Sequence, residues 1–251
     1  PNPIIWMIMD NGKVLSLSYD RQVKFKAWST HTIGGTDAKV TDMAIIPKSD
    51  YDQVWFQVTR TINGSTKSYV EYLTRFPSEN VTTRSELVYL DSAKIHKAVN
   101  LLVDSSGDPE TPLVNTASQT GTALTVDGAT SVPAVGTRFV IMKADGTAST
   151  DKTIYEIAAS PSSTTTSWKL NQALVSSPED NAVIEFRLED LTVAHLEGAS
   201  IGLCTNGMEH VNKTVSGSPY TVTLDHQLAT TAVSGMFYDA SMTTLSPPTL
   251  D

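Results

Sequence analysis

Apolar and polar residues alternate along most of this chain. Val54, Phe56 and Val58 alternate with Trp55, Gln57 and Thr59, and the run from Tyr69 to Leu73 alternates in the same way. A period of two places successive side chains on opposite faces of an extended strand. The opening stretch WMIMDNGKVLSLSYDRQVKFKAW, Trp6 to Trp28, follows the same theme. It has an apolar run, an Asp10-Asn11-Gly12 turn, an alternating return and a charged alternating run. Helical periodicity is scarce. The best helical candidate is Ser92 to Val103, SAKIHKAVNLLV, which predicts one short helix. The chain reads as all-β.

Turn signals punctuate the alternation at Asn11-Gly12, Asn63-Gly64, Asp127-Gly128, Asp145-Gly146, Asn206-Gly207 and Ser216-Gly217. Asn-Gly and Asp-Gly accept positive φ at both central positions, which predicts tight hairpins of type I′. Register matters here, because a one-residue slip turns every apolar side chain outward. Arg60 and Glu71 lie on the strands flanking Asn63-Gly64. They read either as a cross-strand ion pair or as two independent solvated charges.

Composition divides the chain into three segments. Residues 1–104 are rich in aromatic and charged residues, with 12 Lys/Arg and 11 Asp/Glu. Residues 105–188 open on SSGDPETP, a linker composition, and carry 5 Lys/Arg and 9 Asp/Glu. Five short strand candidates follow: TALTVDG, RFVIMKADG, TIYEIA, SWKLNQAL and AVIEFRL. That spacing suits a small barrel or sandwich. Residues 189–251 bring further alternation in SIGLCTNG, YTVTLDH and TAVSGMFYD. Lys213 is the only base there against 7 Asp/Glu.

The 251 residues, 40% hydrophobic and 18% charged, describe a globular protein with a real core. Runs such as Ile4 to Met9 are too short to span a bilayer, so no membrane segment is expected. The net charge of −9 disfavours specific nucleic-acid recognition, since carboxylates repel phosphates. It fits ordinary solubility, and it also fits a passage through which DNA slides without sticking. The single cysteine, Cys204, excludes an internal disulfide and suits assembly in a reducing cytoplasm. Within IGLC it reads as a small buried hydrophobe.

Candidate chemistry is sparse. His31, His96, His195, His210 and His226 show no zinc-ligand spacing, so no metal is expected. Asp104, Asp108 and Glu110 lack the spacing of a calcium loop and read as a solvated turn. His195 and Glu197 would share one face if they lay on a strand, near Glu189-Asp190, as a pair or as a solvated strand face. No nucleophile elbow, phosphate loop or dinucleotide fingerprint is present. Of Trp6, Trp28, Trp55 and Trp168, three lie in hydrophobic strand contexts and read as packing residues. No catalytic residue, cofactor-binding residue or cofactor is assigned.

The order of the remaining residues carries more. Trp6, Asp10-Asn11-Gly12, Leu15, Tyr19-Asp20, Val23, Ala27-Trp28 and His31 precede Val40 and MAIIP (43–47). Asp52, Val54-Trp55, Val58, Arg60, Ile62-Asn63-Gly64, Tyr69, Glu71 and Leu73 follow. This series resembles a recurring module of tail proteins from tailed bacteriophages. The likeness is greatest to the nozzle or tail-tubular (DNA stabilisation) proteins of short-tailed phages. VYLDSA (88–93), LTVAHLEGASIGLCTNG (191–207) and SGMFYDASMTTLSPP (234–248) are similar to later blocks of that family, although Met236 stands where a small or apolar residue is usual. The blocks cover about two-thirds of the chain, in order.

The resemblance implies a propeller-like or sandwich β-module formed by residues 1–104 and 189–251, interrupted by a small β-barrel insert at 105–188. It implies a homo-oligomeric ring, commonly hexameric, in a virion tail assembled in the bacterial cytoplasm. Expected partners are other tail and portal-adaptor proteins, and double-stranded DNA that passes without specific binding. Such a conduit holds packaged DNA and releases it at infection, and it performs no catalysis. An acidic lumen bearing Glu197, Glu209 and Asp225 would suit it. Family members are longer and this chain opens Pro1-Asn2-Pro3 without Met, which fits a piece of a larger subunit. The alternatives are a carbohydrate- or receptor-binding β-module, and an enzyme fragment whose active site lies elsewhere.

Overall fold

The computed structural model describes residues 4–20, 25–49, 51–74, 88–127, 129–206, 208–224, 229–238 and 240–241. The fold is all-β. Strands β1 (Ile4–Ile8), β2 (Val14–Asp20) and β3 (Phe25–His31) form an antiparallel meander. Strands β4 (Lys39–Pro47), β5 (Asp52–Ile62) and β6 (Ser65–Tyr72) form a second one. The two meet through Val14, Val40, Val54, Phe56 and Val58, with Trp6 and Met43 packed alongside. Trp6 meets Phe56 edge to face with ring centroids 6.2 Å apart.

Strand β7 (Asp91–Lys97) occupies half of the segment expected to be helical, and only Ala98–Leu101 turn as a 3-10 helix. Tertiary pairing explains this correction. The buried strand Thr231–Met236 needs hydrogen-bond partners along both edges, and residues 91–97 supply one of them. Helix propensity is a weak preference beside a whole ladder of such bonds.

All five strand candidates of 105–188 form strands, preceded by a short one that the alternation does not reveal. They are β8 (Leu113–Val114), β9 (Ala123–Asp127), β10 (Arg138–Ile141), β11 (Tyr155–Glu156), β12 (Ser167–Lys169) and β13 (Ile184–Arg187). Two three-stranded sheets result, ordered β12-β9-β8 and β11-β10-β13. Single bridges at Leu113↔Val183 and Ile157↔Leu170 link their margins. Between them Trp168 is fully buried against Phe139 and Phe186, at 5.8 and 6.1 Å between ring centroids.

Beyond the insert come β14 (Asp190–Thr192), β15 (Ser200–Thr205), β16 (Met208–Glu209), β17 (Lys213–Thr214), β18 (Thr221–Thr223), β19 (Thr231–Met236) and β20 (Ala240–Ser241). The central sheet runs β16-β15-β19-β7, β14 pairs with β18, and β20 pairs with β3. The chain thus returns from residue 240 to the meander that opened it. One apolar cluster extends from Ile62 and Leu102 through Phe139 and Trp168 to Leu196, Leu203 and Met236.

The turns divide by geometry. At Asn63-Gly64 both residues have positive φ, 48° and 71°, and Ile62 pairs directly with Ser65. That is the expected type I′ arrangement. At Asn11-Gly12 only Gly12 is left-handed, and the loop has three residues. Gly12 N–H donates to the Met9 carbonyl (2.8 Å), Met9 N–H donates to the Lys13 carbonyl (2.9 Å), and the Asn11 side chain accepts from Lys13 N–H (3.0 Å). The Asn11 side chain stabilises the longer loop, which is a turn followed by a glycine bulge. Asp145-Gly146 repeats it, with Gly146 N–H on the Lys143 carbonyl and Lys143 N–H on the Thr147 carbonyl. Gly128 and Gly207 lie outside the described residues.

Candidate functional site

Strand β5 buries alternate residues Val54, Phe56, Val58, Arg60 and Ile62. Arg60 is the one charged member of that row, and it is fully buried. A buried charge is tolerated when it is paired and its hydrogen bonds are met. Its Nε donates to the Gly34 carbonyl at 2.7 Å. Both terminal nitrogens donate to the Glu71 carboxylate, Nη2 to Oε2 at 2.9 Å. The ion pair considered from sequence is therefore real and bidentate, the strongest geometry for such pairs. It is diagonal, since Arg60 stands opposite Lys67 and Glu71 opposite Phe56. The guanidinium crosses the Tyr69 ring, 5.7 Å from its centroid, to reach Glu71.

Gly34 joins a second acid to this node. Its N–H donates to Asp91 Oδ2, while its carbonyl serves Arg60. Asp91 Oδ1 has no hydrogen-bond partner among the described residues. Burial pushes the Asp91 carboxyl above the usual carboxylate range, opposed by the Gly34 N–H and the Arg60 charge. Tyr69 extends the node by donating its hydroxyl to the His195 carbonyl at 2.8 Å. The network thus ties the loop after β3, strands β5 and β6, the start of β7 and the 3-10 helix Ala194–Leu196. The sequence flagged Arg60 and Glu71. Asp91 entered only within VYLDSA, and Gly34 was not singled out. The paired glycines Gly34-Gly35 mark a close backbone approach, with a Cβ at Gly34 meeting the Phe237 carbonyl, but not which residue they meet.

A cavity of about 660 Å³ opens beside the node. Trp6, His31, Phe56, Tyr89 and Tyr238 contribute to its walls, with Glu71 and Asp91 among its polar groups. His31 Nε2 lies 2.8 Å from Ser16 Oγ, its ring centroid is 5.3 Å from that of Trp6, and burial pushes its pKa down. A smaller cavity of about 330 Å³ separates the Asn63 turn from His195 and Glu197.

The remaining sequence candidates disperse. His195 lies in a 3-10 helix, not a strand, and its Nε2 sits 3.0 Å from the Ser92 carbonyl. It shares no strand face with Glu197. His96 Nε2 lies 2.9 Å from Ser234 Oγ, and its pKa is pushed down to about 4 by burial, with the charges of Lys94 and His195 adding. His210 bonds Thr205, and His226 lies outside the described residues. Asp104 Oδ1 accepts the N–H groups of Ser106 and Asp108, and Glu110 accepts from Thr130, so these acids shape turns. Cys204 is half-buried, not buried as expected, because β15 exposes it between Leu203 and Thr205. Trp168 and, in part, Trp6 pack inward, whereas Trp55 is half-buried on the outward face of β5 against Tyr72 and Trp28 is exposed. Among the described residues no group of three His, Cys, Asp or Glu is placed to hold a metal ion. No helix among them is long and apolar enough to cross a membrane.

No protein-family model and no curated protein matches this chain.

Proposed function

We propose that this chain is a structural component of a short-tailed bacteriophage tail, a nozzle or tail-tube subunit. It assembles with copies of itself into a ring that retains packaged DNA and passes it at infection. One observation carries the reading: the first two meanders turn apolar side chains outward as well as inward. Ile5, Leu17 and Trp28 form one cross-strand row, and Ile5 and Trp28 are 52% and 51% exposed. On the second meander Trp55 pairs with Tyr72, and Val70 is 72% exposed. Apolar faces of this kind mark association surfaces. The ordered resemblance to nozzle proteins supplies the kind of assembly. Exposed Glu209 and half-buried Glu197 are available to an acidic lumen, while Asp225 lies outside the described residues.

Two finer readings belong with this one. The insert is a small barrel, supported by the two bridges that link both margins of its sheets. The segments around it form a propeller-like module, supported by the two successive antiparallel meanders. Native mass spectrometry and negative-stain microscopy of the full chain test the assembly, with rings expected. A monomer at every concentration sinks it. The second reading, a carbohydrate-binding module, is favoured by the Trp55–Tyr72 pair at the surface, with ring centroids 5.1 Å apart. A monomer that retains glycans on an array supports that reading instead.

A further inference from the structure

We propose that the larger cavity binds an organic cation, a guanidinium or ammonium group on an aliphatic stem, with Asp91 as its counter-ion. The volume of about 660 Å³ lies within the range of small-molecule sites. Aromatic rings from Trp6, Phe56, Tyr89 and Tyr238 line it, and such faces attract cations.

Charge selects the ligand class. Glu71 and Asp91 both contribute to the lining, and Arg60 lies against them. Arg60 is committed to Glu71 through both terminal nitrogens and to Gly34 through Nε. Asp91 is left with one backbone N–H, and its Oδ1 has no hydrogen-bond partner among the described residues. His31 is held at Ser16 and His195 at the Ser92 carbonyl, so neither imidazole serves it. Lys94 also lines the cavity, but its ammonium is directed at the Thr192 carbonyl, 3.4 Å away. A partly desolvated carboxylate with an open oxygen is matched best by a charged donor. A neutral sugar hydroxyl would bond Oδ1 and add no positive charge beside two carboxylates that share the single Arg60.

Two sources share this chemistry: a basic side chain presented by a protein, and a free polyamine. The test titrates the full chain with agmatine, spermidine and a capped Gly-Arg-Gly peptide, read by calorimetry and by tryptophan fluorescence, since Trp6 is in the wall. Saturable binding of any probe is expected, weakened about tenfold or more in Asp91→Asn and unchanged in Glu209→Gln. The amide introduced by Asp91→Asn keeps an acceptor for Gly34 N–H, and a thermal melt checks its fold. Binding of the peptide alone assigns the site to a protein side chain; binding of the free amines alone assigns it to a polyamine. Saturation by no probe, undiminished binding in Asp91→Asn, or binding of a neutral saccharide without any amine overturns the proposal. If Asp91→Asn does not fold, Tyr238→Ala takes its place, with about threefold weaker binding expected and unchanged binding overturning the assignment. The ring reading does not depend on this outcome, nor this site on the ring.

Discussion

Arg60 stands between Val58 and Ile62 on the buried face of a strand, so its charge is tolerated only through its partners. Replacing it by leucine leaves Glu71 and Asp91 near each other without a cation. Arg60→Leu is expected to cost about 3 kcal/mol or more, measured by urea unfolding. Adding Glu71→Leu should recover much of that loss, because the uncompensated charge goes with it. Purely additive losses in the double variant would refute the coupling. His96 makes stability depend on pH. Its folded pKa is held down near 4, below the ordinary 6.5, so the unfolded chain takes up a proton that the folded chain refuses. Its contribution is complete above about pH 6.5 and is lost as pH falls toward about 4. For a half-buried ring the loss is on the order of 1–2 kcal/mol. Asp91 works against it: its raised pKa favours the folded state at low pH, and that contribution disappears as pH rises through the folded value. His96→Gln should therefore flatten the loss of stability between about pH 7 and about pH 5. An identical pH profile in both proteins would exclude His96 as its source.

The Asn11-Gly12 and Asn63-Gly64 hairpins look alike in sequence and differ as elements. Gly64 has φ +71° with nothing near a hypothetical Cβ, so a side chain there meets backbone strain alone. Gly12 has φ +80°, and a Cβ would lie 2.5 Å from Lys39 Cβ, where the first meander abuts β4. Its carbonyl also accepts from Val40 N–H at 2.9 Å. Gly64→Ala should cost about 1 kcal/mol and Gly12→Ala about 2–3 kcal/mol, compared by thermal or urea unfolding. Equal losses would mean that the Lys39 contact yields freely. The pair of turns illustrates what a sequence exposes and what it hides. Period-two alternation located β5, β6, β9 and β15, because each follows a regular pleat. It missed β8 and β17, whose two residues are too few to show a period. It misread residues 92–103, because the bonds that extend β7 come from β19, more than a hundred residues away. The Arg60–Glu71 pair was legible from strand spacing. Asp91 and Gly34 were not, since their meeting depends on how separate sheets pack.

At the scale of the whole molecule, apolar surface is unevenly distributed. The insert hides Trp168, Phe139 and Phe186 in its centre, while the first two meanders leave Ile5, Trp28, Val70 and Tyr72 in contact with water. Folding alone does not account for the outward row Ile5–Leu17–Trp28, because the opposite faces of the same strands already supply the core through Val14 and Trp6. A residue that serves folding and one that serves association respond differently to substitution. Trp28→Ser and Val70→Ser remove exposed apolar area and should leave the melting temperature within about 2 °C of the parent, as surface changes usually do. Trp168→Ala removes a buried ring and should cost about 3–5 kcal/mol. If the meander faces are subunit contacts, Trp28→Ser or the Trp28→Ser/Val70→Ser double variant shifts the chain toward monomer in sedimentation velocity, at unchanged stability. Glu209→Gln, which changes charge and not apolar area, should leave assembly intact. Rings that persist in the double variant at every concentration would show that subunits meet elsewhere, and the apolar faces would then need another occupant.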